Sequence, residues 1–412
     1  MVTVRQIHWS RSTGMGGHGR SKYATLLLQF RTLTKNRFIF TKILNGTIFF
    51  SFAICELAFA QNTVSSAAQS SGYLSVATNR HWLELQGKPR ELVKKPLDDR
   101  QQQIALMAER LSANTSVLSL VLIEGDQIIF ESYNASSAPQ KHMFSWSMSK
   151  SLTSLTVGAA LCSGKIQSLD KAAEELSSEL KGTIIGKATV KQLLMMAGGV
   201  ADAADFTGEH MTSAWTPIAI GQVLTGQEYV QKYGGPVRDL FGERSPGSKF
   251  NYSNLNTLAL ESVVEANGGF LKTFDEQIWK KIGAERKGSW VLDKSGRAVS
   301  YAGFSATPRD FARLALWSID QTANGDDCMG KYIKIASSRQ IDNFSNTGRN
   351  FKHYGYQMWV NSGPPRPSYW WAGFGGQRVG IDTEKNRVIV VSSWREDYMD
   401  QVYSLFERWQ ID

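Results

Sequence analysis

The chemistry-bearing segment of this chain is Ser145-Trp146-Ser147-Met148-Ser149-Lys150-Ser151-Leu152. Ser147 and Lys150 form a Ser-x-x-Lys pair. On a helix, positions i and i+3 share a face, so the lysine amine can reach the serine oxygen. A lysine buried there loses proton affinity through desolvation and through the positive end of the helix, and can act as a base toward the hydroxyl. The motif alone is weak, because Ser168–Lys171 and Ser178–Lys181 also fit it. Those two lie among acidic and polar residues, where a lysine stays hydrated, and an isolated Ser-x-x-Lys is ordinarily a solvated helix face. Only Ser147 leads into a long apolar run (Leu152, Leu155, Val157, Ala159, Ala160, Leu161) able to bury the pair.

Two further segments add to it. Pro246–Asn254 contains the only Tyr-x-Asn among the 13 tyrosines, Tyr252-Ser253-Asn254. A tyrosine beside a cationic lysine releases its proton more easily and can pass it to a leaving group. The Asn254 amide can hold both the lysine and a substrate carbonyl. Taken alone, the segment would be a loop tyrosine leading into a helix. The third segment is Trp371-Ala372-Gly373-Phe374-Gly375-Gly376-Gln377. Glycines within a strand pattern mark a close backbone approach or a bulge. A substrate lying along Gly373 and Gly375, with the Phe374 N–H aimed at its carbonyl oxygen, would complete an oxyanion hole with the Ser147 N–H. Trp146, Tyr369, Trp370 and Trp371 flank these motifs and can form an apolar acyl pocket or ordinary core aromatics.

Ser-x-x-Lys, Tyr-x-Asn about a hundred residues on, and a glycine-bearing C-terminal strand resemble the serine β-lactamase / penicillin-binding-protein superfamily, in its class C and esterase branch. Thr189–Gly199, the Pro-Gly lead into Tyr252 and Thr307–Arg313 are similar too, and the Gly-Gly-Gln ending resembles the subgroup containing 6-aminohexanoate-dimer hydrolases. The resemblance covers about residues 80–410. It implies Ser147 as nucleophile, Lys150 as its base partner, Tyr252 as proton shuttle and Asn254 as positioning group. It also implies the backbone of Ser147 and Phe374 as oxyanion hole, while Trp146, Trp371, Gly373 and Gly375 are expected against the substrate from their place beside the motifs. It implies no cofactor. β-Lactamases and carboxypeptidases of this superfamily carry Lys-Thr-Gly where this chain has Trp371-Ala372-Gly373, so the cation for a substrate carboxylate is missing. Arg378 lies five residues beyond Gly373 as a possible substitute. The departure favours an esterase or linear amidase on less anionic compounds. A β-lactamase or D-Ala-D-Ala carboxypeptidase/transpeptidase is the first alternative, and a non-catalytic binding module the second.

The elements that must position these residues read as follows. Helical spacing runs over Asp98–Leu111 and from Ser147 through Ala160. Val117–Ile123 and Gln127–Tyr133 form a hairpin. Thr307-Pro308-Arg309-Asp310 opens a helix with a threonine cap and proline at the first helical position. Strands follow at Tyr354–Val360, Tyr369–Phe374, Gln377–Asp382 and Val388–Trp394, then an amphipathic helix at about Tyr398–Trp409. Strands from both ends bracket a helical middle. The expected fold is α+β, an antiparallel sheet built from both chain ends (about 81–160 and 300–410) with an all-helical insertion at about 161–299.

The 412 residues carry a net charge of +9, with 42% hydrophobic and 20% charged residues, which excludes a disordered or fibrous chain. The first 60 residues hold +7 of that charge and the remainder only +2. A nearly neutral body offers no field for nucleic acid. Lys35, Arg37 and Lys42 precede the apolar run Ile43–Ile54 and then Ala58-Phe59-Ala60. That pattern is a signal peptide cleaved after Ala60, giving a periplasmic or secreted enzyme without stable membrane insertion, or alternatively an uncleaved anchor. Residues 1–60 are thus a leader and 61–80 a polar linker. The formal Gly-x-Gly-x-x-Gly at Gly14–Gly19 lacks the strand and helix that would make it a dinucleotide site. The scattered histidines have no metal-ligand spacing. Of the two cysteines beyond the leader, Cys162 reads as a buried thiol, although one disulfide with Cys328 is arithmetically open.

Overall fold

The structure is a computed structural model that describes residues 79–411 apart from 135–136, 201–224, 234–244, 324–326, 345–350, 362–364 and 366. Chain contacts separate residues 1–62 from 63–412, and the described part belongs to the second unit. The expected leader, its cleavage site, most of the linker and the glycine motif at 14–19 lie outside the described residues.

Twelve strands form two sheets among the described residues. The larger is eight-stranded and antiparallel throughout, in the order β3-β2-β12-β11-β10-β9-β8-β7. Its strands are β2 (Val117–Glu124), β3 (Gln127–Tyr133), β7 (Ile341–Asp342), β8 (His353–Tyr354), β9 (Trp359–Asn361), β10 (Ser368–Gly373), β11 (Gln377–Asp382) and β12 (Arg387–Ser393). The hairpin β2–β3 from the N-terminal side pairs with β12 from the C-terminal side, Val388 opposite Ile123 and Val390 opposite Val121. The smaller sheet joins β1 (Arg80–Trp82), β5 (Ser289–Val291), β6 (Phe304–Ala306) and β4 (Met143–Phe144) in the order β1-β5-β6-β4.

Helices cover both faces of the large sheet. On the outer face lie α1 (Asp99–Ser112) and the C-terminal helix, which is α11 (Met399–Ile411) in chain order. Ile104, Leu120, Leu122, Ile389, Val391, Trp370, Leu405 and Phe406 form one apolar layer there. On the inner face lie α2 (Met148–Cys162) and α9 (Pro308–Ala323), with α10 (Cys328–Ala336) packed against both helices. Val121, Ile123, Val379, Ile381, Val388 and Val390 point to them. Alternate residues of one strand thus enter two different cores, which is why β2 and β12 are apolar without alternation. Between α2 and α9 the chain forms the short helices α3 (Ala173–Leu176), α4 (Ile184–Lys187) and α5 (Val190–Leu194), then α6 (Gly226–Tyr233), α7 (Asn254–Ala266) and α8 (Phe270–Gln277).

Helix α2 is the axis of the molecule. Residues Met148 to Ala160 are all buried. Its hydroxyls are satisfied by other elements: Ser151 donates to the Gln357 carbonyl at 2.7 Å, Thr153 to the Ser300 carbonyl at 2.9 Å, and Ser154 pairs with the Tyr332 hydroxyl at 2.9 Å. Such satisfaction is what allows a serine- and threonine-rich helix to sit in a core. Gly158 is required by a close approach, since a Cβ there would lie 2.5 Å from the Tyr332 ring.

Three expectations need correction. Cys162 is no free thiol: it is bonded to Cys328, joining the end of α2 to the start of α10 across 166 residues of sequence. The segment expected to be helical up to 299 contains β5, and the small sheet was not foreseen at all. Its strands are two or three residues long, too short for any periodicity to register. The strand expected over Tyr354–Val360 is two short strands, β8 and β9, with Gln357 at φ +57° between them.

Candidate active site

The first turn of α2 is set by the small sheet. Phe144 pairs with Ser305, and the Ser145 N–H donates to the Phe304 carbonyl at 2.9 Å. The chain then reverses through Trp146, at φ +48°, an unfavourable conformation for a side chain of this size. Ser147 follows with helical φ −63°, and the Met148, Ser149 and Lys150 N–H groups bond back to the carbonyls of Ser145, Trp146 and Ser147. A second tie fixes the turn: the Ser149 hydroxyl lies 2.6 Å from the Ser145 hydroxyl and accepts the Phe304 N–H at 3.0 Å. The result is selective. From Met143 through Ala160, Ser147 alone is not fully buried.

Lys150 projects from the next turn onto that hydroxyl. Its Nζ donates to Ser147 Oγ at 3.0 Å and to the Tyr301 carbonyl at 3.1 Å, and the residue is 1% exposed. The loop carrying Tyr301 is held beside α2 by the Thr153–Ser300 bond described above. The Tyr252 ring faces the same Nζ at 5.0 Å from its centroid, and the Tyr301 ring lies at 5.6 Å. Tyr252 stacks on Trp359, centroids 5.3 Å apart, and meets Tyr354 edge-on. Its segment is tied to the helical part by Asn251, which donates from its N–H to the Met196 carbonyl at 2.7 Å and from its side chain to the Val200 carbonyl at 2.6 Å. Asn254, two residues on and half-buried, opens α7.

The third motif meets the first through backbone. A Cβ on Gly373 would lie 2.2 Å from the Ser145 carbonyl oxygen and 3.2 Å from Trp146 Cβ. The close approach expected at this glycine is therefore made by the protein's own Ser145–Trp146 segment. Phe374–Gly376 forms the tight turn between β10 and β11, with Gly375 at φ +71° and Gly376 at φ +90°. Gly375 is explained by that turn conformation. The Phe374 ring is 48% exposed and contacts Trp146 edge-on at 5.6 Å.

The expected aromatic pocket is not formed as a group. Trp371 is fully buried on the inner face of β10, and Tyr369 and Trp370 are 2% exposed, so these three are core residues. Of that set, Trp146 lies against the exposed Phe374. Arg378 is no substitute cation at the inner face either. It sits on the outer face, donating to the Gly373 and Gln377 carbonyls at 2.7 and 2.9 Å. Reading the sequence missed Tyr301, which contributes a backbone carbonyl and so leaves no side-chain signal. It also missed the Ser145–Ser149 pair, whose i, i+4 spacing around Ser147 was the available sign. The other two Ser-x-x-Lys pairs stay on the surface, with Lys171 bonded to Gln167 and Lys181 exposed. Among the described residues no group of three or more His, Cys, Asp or Glu could hold a metal ion.

By fold and by its single accessible hydroxyl on the α2 turn, the protein falls among the serine hydrolases. The chain belongs to the beta-lactamase family, whose sequence profile matches residues 102–404. It is 26% identical over 302 residues to the 6-aminohexanoate-dimer hydrolase of Paenarthrobacter ureafaciens, covering 69% of this chain and 75% of that one. Among solved structures it is similar to a Bacillus anthracis protein provisionally named a 6-aminohexanoate-dimer hydrolase, with a TM-score of 0.65, 20% identity, and 84% and 92% of the two chains covered. It is also similar to a penicillin-binding protein of Bacillus halodurans, with a TM-score of 0.57, 15% identity, and 73% and 99% covered.

Proposed function

We propose that the protein is an exported hydrolase that cleaves an ester or linear amide bond through an acyl-enzyme on Ser147. The observation that carries this reading is the buried Lys150 amine 3.0 Å from the Ser147 hydroxyl. Burial disfavours the ammonium form, so the amine can receive the hydroxyl proton as Oγ attacks the substrate carbonyl carbon. The carbonyl electron pair moves onto oxygen, which the Ser147 and Phe374 N–H groups stabilise. The tetrahedral adduct collapses, breaking the bond to the alcohol or amine. That leaving group takes a proton from the Tyr252 hydroxyl, and Lys150 returns its proton to Tyr252. Water then attacks the acyl ester, losing its proton along the same route, and releases the carboxylic acid and the free Ser147 hydroxyl. Asn254 orients substrate and lysine, and Trp146 and Phe374 meet its acyl part.

Substrates without a carboxylate are supported by the inner face of β10. The position of the family's lysine is held by Trp371, buried, with its indole N–H unpartnered among the described residues. Export is supported by the Cys162–Cys328 bond, which suits an oxidising compartment.

A panel of p-nitrophenyl esters, nitrocefin, a D-Ala-D-Ala peptide and 6-aminohexanoate dimer tests the reaction. Esters or the linear amide should turn over, while turnover of nitrocefin or the peptide alone would favour the β-lactamase or carboxypeptidase alternative. Ser147→Ala should lose at least about 10⁴-fold in kcat and Lys150→Ala a comparable factor, because the two act as a unit. A fluorophosphonate should label Ser147. Full turnover by Ser147→Ala would refute the mechanism.

A further inference from the structure

The turn that carries Phe374 is built from residues with little conformational preference of their own. Gly373, Gly375 and Gly376 surround it, and glycine backbone is the most mobile there is. A hydrogen-bond donor that must stabilise a developing oxyanion needs a fixed direction, since misplacement by about 1 Å costs on the order of 100-fold. Something outside the turn must therefore hold it.

Arg378 is placed to do so. One guanidinium nitrogen donates to the carbonyls at both ends of the turn, Gly373 at 2.7 Å and Gln377 at 2.9 Å. The guanidinium is held from behind: Nε donates to the Tyr403 hydroxyl on α11 at 2.9 Å, and the other terminal nitrogen lies 3.5 Å from Glu396. Glu396 closes the circuit by accepting the Gly376 N–H at 3.3 Å. Packing adds to this, since a Cβ on Gly376 would lie 2.5 Å from the Arg395 carbonyl. Arg378 is 7% exposed and opens toward α11, away from α2 and Ser147.

We propose that Arg378, braced by Tyr403 and Glu396, is a positioning residue for catalysis: it clamps both carbonyl ends of the Phe374 turn and so fixes the oxyanion donor from the far side of the sheet. The inference rests on the acyl-enzyme reading above. It assigns the cation nearest the glycine motif to the turn and not to a substrate carboxylate. It also gives the C-terminal helix a role in rate, since Tyr403 lies about 25 residues beyond the turn it steadies.

The test compares Arg378→Ala, Arg378→Lys and Tyr403→Phe with the wild type and with Ser147→Ala. kcat and KM are measured on a turned-over p-nitrophenyl ester, together with the affinity of an alkylboronic acid. The boronic acid forms a tetrahedral adduct with the nucleophile, so its affinity reports the oxyanion hole. Arg378→Ala should lower kcat about 30- to 100-fold with KM changed less than about threefold, and should weaken the boronate by a similar factor. Arg378→Lys, whose amine cannot reproduce the fork and its braces, should recover only part. Tyr403→Phe should lose about three- to tenfold in both readouts. Added guanidinium ion should restore part of the Arg378→Ala rate. If Arg378→Ala does not fold, Tyr403→Phe decides the matter. Unchanged kcat and boronate affinity in the folded variants would overturn the proposal, as would equal loss for substrate and boronate arising wholly in KM. An active Ser147→Ala enzyme would instead overturn the reading beneath it.

Discussion

A methyl group added at Gly373 would sit 2.2 Å from the Ser145 carbonyl oxygen, 3.0 Å from Gln377 Cβ and 3.2 Å from Trp146 Cβ. Ordinary contact begins near 3.4 Å, so the two backbones must separate by about 1 Å. Neither gives way cheaply. β10 is paired to β11 through Gly373 and Gln377, and Ser145 is bonded to Phe304 on one side and to the Met148 N–H on the other. The displacement is therefore passed to the Trp146–Ser147 turn. A shift of about 1 Å at the reacting atoms costs on the order of 100-fold in rate, about 2.7 kcal/mol. Overpacking itself costs roughly 1–3 kcal/mol of stability. Gly380→Ala supplies the matched control, because its Cβ would meet the Trp370 ring at 2.7 Å and Ile389 Cγ2 at 2.8 Å, on the sheet face away from Ser147. Both variants should melt at lower temperature. With active enzyme counted by fluorophosphonate titration, Gly373→Ala should show kcat down about 100-fold and Gly380→Ala should stay within about threefold of wild type. Equal kcat in the two variants would refute the claim that the contact between Gly373 and Ser145 aligns the nucleophile.

Two further outcomes concern stability. The Cys162–Cys328 bond closes a long loop, and its removal by Cys162→Ser with Cys328→Ser should lower stability by roughly 3–5 kcal/mol, read from denaturant titration. Activity at 25 °C should persist, because the bond lies about 22 Å along α2 from Ser147. Glu131 on β3 is the pH-sensitive tie. Burial raises its carboxyl, but hydrogen bonds from Arg309, Lys94 and Tyr133 outweigh that and hold it near about 2, against an ordinary 4.5. Its stabilisation is thus complete above about pH 4.5 and is lost as pH falls toward 2. Glu131→Gln should be less stable by about 2 kcal/mol at pH 7, after allowance for screening, with the gap to wild type closing as pH falls from 4.5 toward 2. A gap constant with pH would contradict the ion-pair account.

The long elements were legible because they carry their own patterns. The β2–β3 hairpin, α2, the Thr307–Pro308 helix start and the last strands fall within a residue or two of where periodicity and capping place them. Thr307 does cap α9, its hydroxyl accepting the Asp310 N–H at 3.1 Å. Ser147, Lys150 and Tyr252 could be singled out because each expected role needs a specific side chain, and the structure brings the three side chains together. What was hidden is made of backbone. The small sheet that aims Ser147 consists of two- and three-residue strands, the Lys150 partner at Tyr301 is a carbonyl, and Gly373 matters through a carbonyl that any residue at 145 would offer. Trp371 misled for another reason. An indole beside a catalytic motif reads equally as pocket or core, and only the facing of β10 decides that it is core.

The two buried basic side chains near the site have different partners. Lys150 Nζ donates to a serine hydroxyl and a backbone carbonyl and faces the rings of Tyr252 and Tyr301. Such groups orient the amine toward the Ser147 hydroxyl. Arg378 instead faces the Glu396 carboxylate and the Tyr403 hydroxyl, and although burial works against its charge, those two partners raise its proton affinity overall. A guanidinium is also the side chain least able to lose its proton. In the proposed mechanism the base partner Lys150 must change charge during each turnover, whereas Arg378, proposed as a clamp on two carbonyls, must not. On the proposed mechanism, combining Lys150→Arg with Arg378→Lys, which keeps the number of basic residues unchanged, should abolish turnover through position 150 and weaken the clamp at position 378. A guanidinium at position 150 could not accept the Ser147 proton, and an amine at position 378 would lack the planar fork that spans the turn and its braces.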